Sequence, residues 1–118
     1  MGFEQPDSEN QEALRQKAIG QLREMDQRMR EEIATSTNRD PNFLGARNRE
    51  RLLVDDLRGE LEETGNTPEV VLQRLEDEAA RQDEILNTDD YPPETKEGAA
   101  IEKEAIEKRI EILKGLNL

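Results

Sequence analysis

Residues 8–33 read SENQEALRQKAIGQLREMDQRMREEI, and this stretch decides the fold class. Its apolar positions are Leu14, Ala18, Leu22, Met25, Met29 and Ile33, spaced 4, 4, 3, 4 and 4. That spacing holds one stripe on one helix face for about five turns. A 4-4-3 unit is an 11-residue repeat, so the stripe runs nearly straight with a slight right-handed drift. Glu24–Arg28 and Asp26–Arg30 are i,i+4 pairs in the favourable order on the outer face. Ser8 and Gln11 fit a capping box, in which the hydroxyl accepts a free N–H and Gln11 reaches back. The helix is therefore expected to start at Ser8, after a flexible tail over residues 1–7, and to leave through Thr35-Ser36-Thr37-Asn38.

Downstream the period stays helical and is punctuated by proline and glycine. Asp40-Pro41 reads as a cap followed by proline at the first helical position, where its missing N–H costs nothing. The second apolar face is Phe43, Ala46, Leu53, Leu57 and Leu61, flanked by Leu44 and Val54 and interrupted by the charged run 47–51. Thr64-Gly65-Asn66 reads as its stop, with Gly65 suited to a left-handed cap. Thr67-Pro68 opens a third helix with Val71, Leu75, Ala79 and Leu86 in line and Leu72 and Ile85 beside them. The short connection between the second and third helices predicts an antiparallel hairpin between them. Asn87 to Pro93 is a linker, because two prolines keep it extended. In the fourth helix Ile101, Ala105, Ile112 and Leu116 form one line and Ile106, Ile110 and Leu113 the next, so its apolar face is broad. Gly115 is a natural stop, and Leu116 to Leu118 are expected to fold back on the last turn.

The expected fold is therefore all-α. A single domain over residues 8–118 holds about four helices, near 8–37, 41–63, 68–87 and 94–114, as a helical hairpin or bundle with a long N-terminal helix. Leu, Ile, Val and Phe make up 25 of the 118 residues. Such a thin apolar supply leaves an isolated monomer marginal. Self-association, coiled-coil-like in character, is the expected remedy, so a homo-oligomer is predicted.

Composition argues against catalysis. The chain has no histidine and no cysteine. It lacks an imidazole to move protons near neutral pH and a thiolate to attack or to bind metal. Ser8 and Ser36 have no base to activate them. Zinc and di-iron sites lack their usual ligands. The segment Asn87 to Tyr91 lacks the alternating acids and central glycine of a calcium loop. Glu76, Asp77 and Glu78 are consecutive, so they fan around a helix and do not converge on one ion. The seven glycines are isolated and form no phosphate loop. No enzyme activity, cofactor or metal is predicted.

Charge is the other guide. The formal net charge is −12, which disfavours nucleic acid and anionic lipid. The polar helix faces are not cationic, no apolar run approaches a membrane span, and nothing near the start resembles a secretion signal. A cytoplasmic protein without direct nucleic-acid or membrane contact is expected. Half of the net charge lies in residues 67–92, which hold eight acids and two bases. The acids are Glu69, Glu76, Asp77, Glu78, Asp83, Glu84, Asp89 and Asp90, and they are the candidate partner-binding residues. Arg47, Arg49 and Arg51 are two apart and so form a half-ring, not a stripe. The function these features suggest is a non-enzymatic protein–protein interaction module, a small acidic adaptor, assembly factor or regulator whose partner carries a basic surface. The alternative is an acidic nucleic-acid mimic that blocks a DNA- or RNA-binding protein, such as a viral counter-defence protein.

Overall fold

The computed structural model describes residues 4–63 and 66–118. They form four α-helices: α1 (Glu4–Thr35), α2 (Pro41–Glu62), α3 (Pro68–Asn87) and α4 (Pro93–Lys114). Among the described residues there is no strand, and no helix is long and apolar enough to cross a membrane. The fold is an all-α bundle, as the periodicity predicts.

The helix starts follow from local chemistry. Asp40 accepts a hydrogen bond from the Asn42 N–H at the head of α2, and Thr67 accepts one from Val70 at the head of α3. Proline takes the first position of both helices and of α4. The start of α1 differs from expectation. It lies at Glu4, so Ser8 falls inside the helix and is not its cap. Pro6 does not oppose this, because the N–H groups of a first turn have no intrahelical partner. Of the expected tail, residues 1–3 lie outside the described residues. So do Thr64 and Gly65, and with them the expected left-handed cap.

The pairing of helices corrects the hairpin expected between α2 and α3. The chain instead folds into two antiparallel pairs, α1 with α2 and α3 with α4, while α2 and α3 meet chiefly around their junction. Asp26–Arg51 and Glu32–Arg47 tie the first pair, and Asp83–Lys103 and Asp89–Lys96 tie the second. The physical reason lies in the apolar faces. The two adjoining lines on α4 offer α3 a broad surface, whereas the stripe of α2 is broken by its charged run. The connection itself turns the chain, with Glu63 and Thr67 both in extended backbone.

The two pairs share one core. Ala18, Ile19 and Leu22 of α1 meet Val54, Leu57 and Leu61 of α2, Val71 and Leu75 of α3, and Ile106 and Leu113 of α4. Ile19 lies outside the stripe read from the sequence, yet it is buried. α4 lies beside α2, where Arg109 donates to Asp56 at 3.4 Å. The C-terminal segment does not simply fold back on α4. The Gln21 side-chain amide of α1 donates to the Asn117 backbone carbonyl at 2.7 Å, and the Asn117 N–H donates to the Gln21 side-chain oxygen Oε1 at 2.8 Å.

The molecule measures 54 × 46 × 20 Å. Its thickness is about two helix diameters. Its radius of gyration is 17.3 Å, against about 13.5 Å for a compact chain of this length. The shared core sits at one end, and away from it the two pairs spread apart.

Candidate functional site

The acids of α3 fall into two sets. At 100° per residue, Glu69, Glu76, Asp77, Asp83 and Glu84 lie within about a third of the helix circumference. This arc is opposite Val71 and Leu75, which enter the core. Glu78 lies off the arc and is half-buried, approaching Arg81 at 4.0 Å. Asp83 stands at the edge toward α4 and accepts from Lys103, and the hydrogen bond that the Lys103 ammonium donates to it holds that ammonium above the ordinary lysine value. Asp89 and Asp90 follow the helix in the α3–α4 connection, and Asp89 lies 3.8 Å from Lys96.

What remains is a row of exposed carboxylates. Among the described residues no lysine or arginine lies within ion-pair distance of Glu69, Glu76, Asp77, Glu84 or Asp90. Asp77 accepts a hydrogen bond from Gln73 one turn away. α1 and α2 treat their acids differently. Asp26 is held by Arg30 and Arg51, Asp55 by Arg58, and Glu62 by Arg23 and Arg58. The hydrogen bond from Arg58 holds the Asp55 carboxyl below its usual range, and that from Arg23 does the same for Glu62. Two of the three half-ring arginines serve the fold, Arg47 binding Glu32 and Glu50 and Arg51 binding Asp26 and Asn48, while Arg49 is exposed.

A second surface is one that sequence periodicity did not single out. Where α2 and α4 spread apart, a groove lies on each side of their seam. The larger, about 750 Å³, is floored by Met25, Met29, Leu53, Val54 and Ile112. The smaller, about 360 Å³, is lined by Ala46, Leu52, Leu53, Ile101 and Ala105. Ile101 is 65% exposed and Leu52 45%. The two apolar lines of α4 were visible in the sequence. That Ile106 and Leu113 would be covered and Ile101 left open was not, because it depends on how the pairs spread.

No family model, curated protein or solved structure matches this chain. Among the described residues no group of three or more acidic side chains converges as a metal ion would require.

Proposed function

We propose that the protein is a non-enzymatic interaction module whose α3 face docks a basic surface of a partner protein. The observation that carries this reading is the row Glu69, Glu76, Asp77 and Glu84, exposed together and without an internal cation. An acidic face of this kind steers a basic partner into place and raises the rate of encounter. The spacing of the row favours a protein over imitation of a duplex. The four carboxylates from Glu69 to Glu84 span about 22 Å, or roughly one per 5.6 Å, whereas duplex DNA carries one charge per ~1.7 Å.

The test is affinity capture from host extract with the natural chain and with a triple variant, Glu76→Lys, Asp77→Lys and Glu84→Lys. The natural chain should retain a basic protein that the variant loses, and retention should weaken steeply with added salt. Identical capture by both chains overturns the reading. A captured protein that is displaced from DNA or RNA in the process would favour the nucleic-acid mimic.

A further inference from the structure

The grooves at the α2–α4 seam pose a separate question from the α3 face. Ile101, Ala105, Lys108 and Ile112 recur on α4 at intervals of four, three and four, so they form one continuous line. Its C-terminal end, at Ile112, packs against the core. Its N-terminal end stands open, with Ile101 beside Leu52 of α2, which is also exposed.

Three observations say what covers this line. The first is area. The chain exposes 7927 Å², against about 6,600 Å² for a compact monomer of its mass. A standard interface removes about 800 Å² from each partner, so one such contact brings the chain most of the way to ordinary exposure. The second is charge. The two grooves are rimmed by four basic and four acidic residues. On a chain of net charge −12, this balanced rim can meet its own copy without net repulsion, which the α3 face cannot. The third is self-complementarity, which a two-fold contact demands. About a dyad midway between Ala105 and Lys108, an antiparallel pair of α4 helices brings Ile101 of one copy to Ile112 of the other and Ala105 to Lys108. Glu104 of each then comes near Lys108 of the other, exchanging the 3.6 Å pair they make within one helix.

We propose that the α2–α4 groove is the interface of a homodimer, occupied by a second copy of this chain with the two α4 helices antiparallel about a dyad between Ala105 and Lys108. The small Ala105 side chain lets the helices approach beside the dyad. Ile101 closes the groove of the opposite copy, and Leu52 flanks the seam. The acidic faces of α3 remain outward, so a dimer offers two of them.

Sedimentation equilibrium on the full chain tests this at micromolar to submillimolar concentration. The natural chain should show twice its 13.6 kDa mass. Ile101→Glu should halve the observed mass while keeping helical circular dichroism and a cooperative, if lower, melting transition, because Ile101 is largely exposed within one chain. A natural chain that stays at 13.6 kDa overturns the proposal, and so does a dimer that Ile101→Glu leaves intact. Because the chain has no cysteine, Ala105→Cys gives a second measurement. Mild oxidation should join two Ala105→Cys chains across the dyad and leave Glu76→Cys chains unjoined. Equal cross-linking of both variants overturns the stated geometry. The triple α3 variant should keep the dimer mass, so a failed α3 face and a failed groove are told apart.

Discussion

Two side chains at the residue scale hold more of the fold than their place in the sequence suggests. Arg15 of α1 donates from Nε to the Leu61 carbonyl at 2.6 Å and from a terminal nitrogen to the Glu62 carbonyl at 2.9 Å. These are carbonyls of the last turn of α2, which have no intrahelical donor and carry the negative end of the helix dipole. Removing the guanidinium leaves them without these donors, and Arg15→Ala should cost about 1–2 kcal/mol in urea unfolding. Asn66 is 7% exposed and is the one buried polar residue of the described core. Its amide donates to the Glu60 carbonyl at 2.7 Å, and its side-chain oxygen accepts from Arg74 at 3.0 Å. It thus joins the end of α2 to α3 at the turn between the pairs. Asn66→Leu keeps the volume but strands the Glu60 carbonyl and Arg74, so a loss of about 1–3 kcal/mol is expected. A variant as stable as the natural chain would show that water replaces both bonds. Neither role was legible in the sequence, where Asn66 read as part of a helix stop and Arg15 belonged to no pattern, because their partners are brought near only by tertiary packing.

Legibility is greater at the scale of the element. The caps Asp40 and Thr67 and the prolines after them are local chemistry, and the helices begin where that chemistry says. The start of α1 was misplaced because an internal Ser–Gln pair imitates a capping box, while Pro6 is tolerated in a first turn. The wrong partner for α2 has another cause. A short connection usually predicts a hairpin, but the apolar width of the available faces decides which helices pair, and α4 is the widest. The same independence of local from tertiary terms yields a prediction. Gly20 sits mid-helix in α1 and Gly59 in the last turn of α2, both exposed, and an added Cβ meets nothing within 4 Å at either position. Glycine inside a helix costs roughly 0.5–1 kcal/mol relative to alanine. Gly20→Ala with Gly59→Ala should therefore stabilise the chain by about 1–2 kcal/mol without altering its mass or spectrum. Thermal melts read this directly, and a lowered midpoint would reveal an unseen contact at one of the two positions.

Charge governs the whole molecule. At pH 7 the chain carries −12, and the unpaired acids of α3 repel one another. Glu12, Asp55 and Glu62 behave otherwise, each held below its usual range first by a hydrogen bond, from Gln16, Arg58 and Arg23 respectively. A depressed carboxyl stabilises the fold fully above its unfolded pKa and loses that contribution as pH falls through the folded value. The melting midpoint is thus expected to hold from pH 7 to about 5, and to fall as pH drops below about 4 and through the lowered values of these three groups. A midpoint that stays level below that range would show that these three pairs add little to the fold. The acidic segment itself could be read from residue counts. Which of its acids are free could not, since Lys103 and Lys96 reach Asp83 and Asp89 only after α4 has folded against α3.

The reciprocal hydrogen bonds between Gln21 and Asn117 join residues 96 apart in the chain. Each helix pair is complete within its own stretch of sequence, but the apolar side of α1 near Leu22 gains its cover from α4 last. At a ribosomal speed of about 5–20 residues per second, the α1–α2 pair emerges roughly 3–10 s before Asn117 does. For that interval the nascent hairpin exposes Leu22, Val54 and Leu57 toward absent partners. Its first binding event in the cell is therefore the capture of its own second half, in competition with any chaperone at the exit tunnel.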